Sequence, residues 1–149
     1  MALLIGEYSY TIDDKGRLNV PSKFRKALGE DGDSTFIITK GNEEDKCLDV
    51  YPHDVFEKKI VAKLNEFSES DATQRYYTSL KGANSHEAPL DKQGRITIPQ
   101  KLLDYSRIKK EVLIVGAFNR IELWDPDVRT QYLERMAKAE ESLDKGLMP

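Results

Sequence analysis

Few of the residue types that carry out enzyme chemistry are present in this chain of 149 residues. It has one cysteine and two histidines, so an intrachain disulfide is excluded, and Cys47, His53 and His86 do not stand at the spacings of a metal site. No glycine-rich phosphate loop occurs, and no motif for a serine or cysteine nucleophile. We therefore predict a protein that is not an enzyme and that holds no cofactor and no metal.

Long apolar runs are also absent. No stretch approaches the roughly 20 residues that span a bilayer, and residues 1–5 lack the basic flank and the length of a signal peptide. The apolar fraction of 39% and the charged fraction of 33% are typical of a globular protein with a well-charged surface. We expect a cytoplasmic protein with one domain, or two very small ones that share a core, with no membrane partner and no small-molecule substrate.

One sequence motif occurs twice. Residues 13–24 read Asp-Asp-Lys-Gly-Arg-Leu-Asn-Val-Pro-Ser-Lys-Phe, and residues 91–102 read Asp-Lys-Gln-Gly-Arg-Ile-Thr-Ile-Pro-Gln-Lys-Leu. The glycine allows a positive φ and the aspartate can bond the amides of its own turn, so each copy predicts a hairpin turn that leads into a short strand. The proline then ends the strand and opens a short helix. The sequence therefore predicts one small unit that is built twice.

Further elements follow each copy of the motif in the same order. The strands predicted after the first and the second copy are 36–39 with 47–51, and 111–117 with 120–124. Asp125 and Pro126 then begin an amphipathic C-terminal helix. The duplication therefore extends well beyond the motif itself.

Two helices are predicted between the halves. The first begins at residue 52 and carries an apolar stripe at helical spacing, which indicates ordinary core packing; the stripe consists of Phe56, Ile60, Leu64 and Phe67. Ser70 and Asp71 cap the second helix, and Gly82 ends it. We expect the following residues, 83–89, to be a linker.

The net charge of −3 hides an uneven distribution of charge along the chain. Residues 13–29 carry five Lys or Arg against two Asp, a net +3, and residues 91–110 carry six against two, a net +4. Residues 30–74 carry twelve acidic residues against five lysines, a net −7. The basic charge thus lies on the two motifs, which is typical of a protein that presents one basic face to phosphate.

The arginines that follow the two turns are the main candidates for contact with DNA. Arg17 and Arg95 can donate two parallel hydrogen bonds to guanine in the major groove, or hold a phosphate. Asp13 and Asp91 would fix the turns and orient the guanidinium groups. The residues expected to contact the DNA backbone are Lys15, Lys23 and Lys101. The alternative is a plain hairpin with a surface ion pair worth roughly 0–1 kcal/mol, and the duplication of the motif with its proline favours DNA binding.

The motifs and the residues around them resemble those of the MraZ family. Gly6-Glu7-Tyr8 precedes the first motif, and Pro21-x-x-Phe24-Arg25 ends it. The second motif reads Asp91-x-Gln93-Gly94-Arg95 and ends in Pro99-x-x-Leu102. The likeness covers roughly residues 3–143 in the expected order, which a chance match to one short motif would not give.

This resemblance implies an α+β fold. Two tandem AbrB-like, β-rich repeats of the swapped-hairpin or double-psi type would pack as a pseudo-twofold unit, with peripheral helices. The implied parts are a first repeat at 5–52, connecting helices at 53–82, a second repeat at 83–126, and a C-terminal helix and tail at 127–149.

The resemblance also implies a function. The protein would be a nucleoid-associated transcriptional regulator that represses the division and cell wall gene cluster, including its own promoter, and binds direct repeats in double-stranded DNA as a ring-shaped homo-oligomer. The implied DNA-binding residues are Asp13, Lys15, Gly16, Arg17, Lys23, Arg25, Asp91, Lys92, Gly94, Arg95 and Lys101. Leu103 stands where the first copy has Arg25, and Lys92-Gln93 where it has Asp14-Lys15, so the contacts of the second copy would be fewer or different.

An alternative from another class is an antitoxin-like or scaffold module that binds proteins. Antitoxins with an AbrB-type unit append a disordered tail that wraps the partner. Here the chain from Asp125 is patterned as a helix with a short remnant after it, which argues against that role.

Overall fold

The computed structural model of the chain describes residues 3–26, 35–41, 44–68 and 71–143. Its strands are β1 (Leu4–Thr11), β2 (Arg17–Asn19), β3 (Thr35–Lys40), β4 (Leu48–Pro52), β5 (Ser85–Pro89), β6 (Arg95–Thr97), β7 (Glu111–Phe118) and β8 (Ile121–Trp124). Its helices are α1 (Ser22–Arg25), α2 (His53–Phe56), α3 (Ala62–Asn65), α4 (Ala72–Ala83), α5 (Gln100–Ser106) and α6 (Pro126–Leu143). A π-helical segment, Glu57–Val61, joins α2 to α3. The α+β fold class is confirmed.

The described strands form a six-stranded sheet and a separate two-stranded ribbon, and every pairing is antiparallel. The order in the sheet is β1-β7-β8-β4-β3-β5, and the ribbon pairs β2 with β6. The predicted hairpins β3–β4 and β7–β8 are therefore present. Three of the five pairings in the sheet, β1–β7, β8–β4 and β3–β5, join strands from different halves of the chain, so the halves are interlocked and do not fold side by side.

The prediction of hairpins at the two motifs is wrong in one respect. The turn at 13–17 connects β1 to β2, yet β1 pairs with β7 and β2 pairs with β6. The turn at 91–95 connects β5 to β6, and β5 pairs with β3. Each turn thus carries the chain from the sheet into the ribbon, where the strand finds its partner in the other copy. Turn residues determine the local backbone, but they do not determine which strand supplies the hydrogen-bond ladder.

The core lies between the ribbon and the sheet. Leu18 and Ile96, at the centres of β2 and β6, are 1% and 2% exposed, and they face the sheet. They and sheet residues such as Ile114 surround a void of only about 10 Å³, so the two layers are in direct contact. The core residues contributed by the sheet include Phe36, Ile38, Leu48, Val50, Val112, Ile114, Ile121 and Leu123.

Short helices close the ends of the ribbon, as predicted. Pro21 and Pro99 are the N-cap residues of α1 and α5. Phe24 in α1 and Leu102 in α5 are buried at equivalent places in the core. The proline suits this place because its fixed φ and missing N–H are compatible with the first turn of a helix.

The two connecting helices differ from the prediction. The apolar stripe on the first helix does not pack in the core: Phe56 and Ile60 are half-buried and Phe67 is 54% exposed. The residue that reaches the core is Val55. Ile60, Leu64 and Phe67 of the stripe face α4 across an open cleft. Helical spacing of apolar residues does not distinguish a cleft from a core.

The boundaries of the second helix also differ. Asp71 is its N-cap and accepts hydrogen bonds from the amides of Thr73 and Gln74, as predicted, whereas Ser70 lies outside the described residues. The helix continues through Gly82 to Ala83. The predicted linker contains β5, which covers the edge of β3. β5 is thus the edge strand of the sheet. Its residues, Ser-His-Glu-Ala-Pro, include no β-branched side chain, so the sequence did not indicate a strand.

The C-terminal helix begins as predicted. Val128 N–H donates to Asp125 Oδ2 at 3.1 Å, which is a side-chain cap. The Tyr132 ring packs 4.8 Å from that of Trp124, but Met136 is 47% exposed. None of the helices in the described ranges combines the length and the apolar character needed to cross a membrane.

Candidate nucleic-acid interface

Asp13 holds the first turn with both oxygens of its carboxylate. Oδ1 accepts hydrogen bonds from the backbone amides of Lys15 (3.0 Å) and Arg17 (2.9 Å), and Oδ2 accepts one from Arg17 Nε (2.6 Å). Gly16 has a φ of +77°, and its N–H donates to the Asp13 carbonyl at 3.0 Å. The carboxylate therefore fixes the backbone of the turn and the orientation of the guanidinium together.

Asp91 holds the second turn in the same way. Its Oδ1 accepts from the amides of Gln93 (2.8 Å) and Arg95 (2.9 Å), and its Oδ2 accepts from Arg95 Nε (2.8 Å). Gly94 also has a φ of +77°. Within the described ranges, the terminal nitrogens of Arg17 and Arg95 have no protein acceptor. Each guanidinium is thus held through Nε and leaves its outer edge for a ligand.

Both aspartates stay ionised well below neutral pH. The backbone amide of Arg17 is the main cause that lowers the pKa of Asp13, and the Arg17 side chain adds to it. The backbone amide and the side chain of Arg95 lower the pKa of Asp91 in the same order. Partial desolvation opposes both shifts without reversing them. A carboxylate that accepts several N–H groups is stabilised in its charged form.

The register of the ribbon places the two arginines on one face. Arg17 lies opposite Thr97, and Asn19 lies opposite Arg95. Because side chains alternate along a strand, these four share the outer face while Leu18 and the residue opposite it face the core. Arg17 and Arg95 are diagonal neighbours, which corresponds to a separation of about 7–8 Å.

Sequence reasoning missed Asn19 and Thr97 as members of this outer face. Both side chains are exposed between the arginines. The signal was present, since each is the polar residue of the apolar/polar/apolar triplet after the arginine. Only the pairing of β2 with β6 brings these two polar residues together on one face.

The two turns are also bonded to each other's strands. Ile98 N–H donates to the Gly16 carbonyl at 2.8 Å, and Val20 N–H donates to the Gly94 carbonyl at 3.0 Å. Each turn is therefore anchored by the strand end of the other repeat. The outer face of the ribbon is one cross-braced unit.

The remaining predicted residues lie on the two turns and on the short helices α1 and α5. Lys15 and Lys92 are exposed on the two turns, and Lys23 is exposed on α1. Arg25 is half-buried against Gly94. Lys101 Nζ donates to the carbonyl of Ala83 at 2.8 Å, at the C-terminus of α4, where a cation stabilises the end of the helix.

A second cluster of ionisable groups joins β4 and β8. Cys47 Sγ and carboxylate oxygens of Asp49 and Glu122 lie within 4.8 Å of one another. Arg120 contacts both carboxylates, Asp49 at 3.5 Å and Glu122 at 2.8 Å, and Arg129 lies 3.6 Å from Glu122. Burial raises the pKa of the Cys47 thiol. Two guanidinium groups and a protonated thiol fit an ion-pair cluster better than a metal site.

An apolar cleft of about 310 Å³ lies between the first connecting helix and α4. Its apolar wall includes Ile60, Leu64, Phe67, Tyr77 and Leu80. Two aromatic side chains that line it, Phe67 and Tyr77, are more than half exposed, and Tyr76, which packs against Tyr77, is 61% exposed. An exposed apolar surface of this kind is typical of a contact with another molecule.

The fold and the site define a class of protein in which two interlocked repeats each place one turn-held arginine on a shared ribbon. A family model described as "MraZ protein, putative antitoxin-like" matches residues 3–80 and 80–146. The chain belongs to the MraZ family. The two separate matches confirm the internal duplication.

Curated relatives are similar over most of their length. A protein of Finegoldia magna named "Transcriptional regulator MraZ" is 41% identical over 97% of this chain and 96% of its own. Proteins of the same name from a Thermoanaerobacter species and from Caldanaerobacter subterraneus subsp. tengcongensis are each 40% identical over 87% of this chain and 86% of their own.

Proposed function

We propose that this protein is a transcriptional regulator that binds double-stranded DNA through the outer face of the β2–β6 ribbon, without enzymatic activity and without a cofactor. The observation that carries the proposal is the pair of arginines on that face, each fixed by an aspartate and each with its terminal nitrogens unoccupied by acceptors in the described ranges. The relatives named transcriptional regulators support the regulatory role.

The dimensions of the ribbon suit the major groove of B-DNA. The groove is roughly 12 Å wide and admits a two-stranded β-ribbon. Arg17 and Arg95 stand about 7–8 Å apart as diagonal neighbours, which spans about two base-pair steps of roughly 3.4 Å each. Both can therefore reach base edges or phosphates within one short site, and a guanine-containing site offers the acceptors that arginine prefers.

We further propose that several copies act together on the promoter of the protein's own gene cluster, as a ring that represses transcription in the nucleoid. One ribbon contacts few phosphates, so affinity requires several linked contacts. The exposed aromatic side chains Phe67 and Tyr77 of the cleft, with Tyr76 beside them, supply an apolar surface for association of copies. Copies related by rotation around a ring would meet direct repeats in the DNA.

The test is a gel shift with DNA from upstream of the protein's own gene. We expect Arg17→Ala and Arg95→Ala each to abolish the specific shift while the far-UV spectrum and the oligomer stay normal. Arg135→Ala is the matched control, because Arg135 is an exposed arginine on α6 that, like Arg17 and Arg95, is paired with an aspartate, here Asp45. Unchanged binding in both ribbon variants would refute the proposal.

A second variant distinguishes contacts to the DNA backbone from contacts to the bases. Lys23 is exposed on α1, and a phosphate contact there carries no sequence information. We expect Lys23→Ala to weaken binding to all sequences alike and to flatten the salt dependence.

A protein-interaction module is the second candidate, and the open apolar cleft is the observation that favours it. In that case a small partner protein would co-purify with the chain, and Leu64→Asp in the cleft would release it. Promoter binding that survives the same substitution would assign the cleft and the ribbon to separate roles.

A further inference from the structure

The two repeats differ in what lies beside the ribbon. An open groove of about 580 Å³ runs between β1, β2 and α1. Its lining residues are Ser9, Tyr10, Thr11, Asn19, Val20, Ser22 and Arg25. None of these described residues is acidic, and their side chains offer hydroxyl, amide and guanidinium donors. Donors of these types are the ones that contact phosphate oxygens of a nucleic-acid backbone.

The second repeat does not reproduce the residues that line this groove. Asp13 and Asp91 are 78 positions apart, and the same shift leads from the polar lining residues to their counterparts. These counterparts are Glu87, Ala88, Pro89, Thr97, Gln100 and Leu103. A carboxylate and three apolar side chains thus replace three hydroxyls and the guanidinium. Thr97 and Gln100 keep polar donors, but this side has no cation among the counterparts and one added negative charge, so it is less suited to hold a phosphate.

Arg25 is the residue that most clearly separates the two sides. Its guanidinium lies directly on Gly94: a Cβ at Gly94 would meet Arg25 Nη1, with Cζ at 2.9 Å. Arg25 Nε is buried and has no hydrogen-bond partner in the described part of the chain. The counterpart Leu103 instead places a methyl group 3.8 Å from the Cβ position of Gly16.

The groove adjoins one end of the ribbon only. Asn19 lines the groove and lies opposite Arg95 on the outer face. Gly94, on which Arg25 packs, is the residue before Arg95. The Arg95 end of the ribbon therefore has two guanidinium groups from different repeats, and the Arg17 end has one.

We propose that this groove binds a phosphate of the DNA backbone, with Arg25 and Ser22 as donors, and that it sets the direction in which the ribbon lies on the duplex. The inference rests on the proposed function and deepens it. A ribbon with one arginine at each end could lie on DNA in either of two directions related by its pseudo-twofold axis. A phosphate site at one end makes one direction tighter, which suits direct repeats.

The test compares the Arg25→Leu variant with the unmodified protein in DNA-binding assays over a series of salt concentrations. We expect binding to promoter DNA and to unrelated DNA to weaken alike, by roughly tenfold. The slope of log K against log salt should fall by about 1 for each bound subunit. Leucine occupies the equivalent position, 103, in the second repeat, and thermal unfolding checks that the variant is folded.

Ser22→Ala supplies a second variant that leaves the charge unchanged, and Gln100→Ala, at the equivalent position of the second repeat, is its control. We expect Ser22→Ala to weaken binding and Gln100→Ala to leave it unchanged. Ethylation interference should show phosphates that lose importance in Arg25→Leu on one flank of each site only.

The outcomes separate this inference from the proposed function. If the unmodified protein gives no promoter shift, the proposed function fails. If the shift requires Arg17 and Arg95 but is indifferent to Arg25→Leu and Ser22→Ala, only the phosphate groove is overturned. Loss of interference on both flanks would also overturn it, because the groove lies at one end of the ribbon.

Discussion

The two repeats share one turn and differ in what packs against it. Around Asp13 and Asp91 the hydrogen bonds agree partner for partner. Against Gly16 lies the backbone carbonyl of Ile98, whereas against Gly94 lies the side chain of Arg25. The comparison shows that the five residues of each turn are sufficient to orient its arginine, whereas the residues that pack against the turn differ between the repeats.

The largest expected effect is a loss of stability that differs between the two turns. Both glycines have a φ of +77°, which strains any other residue. A Cβ at Gly16 would also lie 2.7 Å from Ile98 O, which is backbone, whereas at Gly94 it would meet a flexible side chain. We expect Gly16→Ala to lower the free energy of unfolding by about 3 kcal/mol and Gly94→Ala by about 1–2 kcal/mol. Urea unfolding measures both, and equal losses would contradict this reading of the turns.

A smaller effect concerns the contact that joins the repeats at β4 and β8. Arg120 lies between Asp49 and Glu122, whose side chains are only 15% and 14% exposed. We expect Arg120→Ala to lower the free energy of unfolding by about 2 kcal/mol, because it leaves two half-buried carboxylates without this partner. Arg17→Ala, which removes an exposed ion pair, should cost less. Urea unfolding that gave the reverse order would show that the turn, and not this cluster, holds the repeats together.

The pH dependence should be the same for the two turns. The folded-state pKa values of Asp13 and Asp91 are lowered, so their contribution to stability is complete above the unfolded-state pKa of about 4 and is lost as the pH falls through the folded-state values. We expect Asp13→Asn and Asp91→Asn each to flatten the fall in stability below about pH 4 by similar amounts. Burial raises the pKa of Asp49, so its contribution to stability changes with pH in the opposite direction. This contribution is the same in all the variants and cancels when they are compared. Unequal flattening in acid unfolding curves would show that the turns are not equivalent.

The smallest effect is expected at Cys47, whose thiol should react very little with maleimide in the folded protein. Its side chain is buried, and burial followed by the charge of Asp49 raises the pKa of its thiol. The thiolate is the reactive form. We expect a maleimide to label unfolded protein in urea and to leave folded protein almost unlabelled at neutral pH, as mass spectrometry can show. Rapid labelling of the folded protein would place Cys47 at the surface.

The sequence predicted the features that depend on neighbouring residues. Asp-x-x-Gly-Arg specifies its own turn, and Asp125 with Pro126 specifies the start of α6, because donors and acceptors are at most four residues apart. The pairing of β2 with β6 could not be predicted in this way. It depends on which of two similar strands supplies the ladder, and no local pattern encodes that choice.

The site shows the same limit. Arg17 and Arg95 could be named from the motif, but their common face follows from the ribbon register. Arg25 packs on Gly94, which belongs to the other repeat. This contact could not be predicted from the spacing of the two residues along the chain. β5 escaped notice because its residues are polar and it serves as an edge strand.

Site-directed photo-crosslinking tests the central claim most directly. Thr97→Cys places a label at the middle of the outer face of the ribbon, and Leu133→Cys places one on the exposed side of α6. Buried Cys47 leaves each variant with a single reactive thiol. The account predicts that the probe at position 97 crosslinks to promoter DNA and that the probe at position 133 does not. Crosslinks from position 133 without any from position 97 would contradict it.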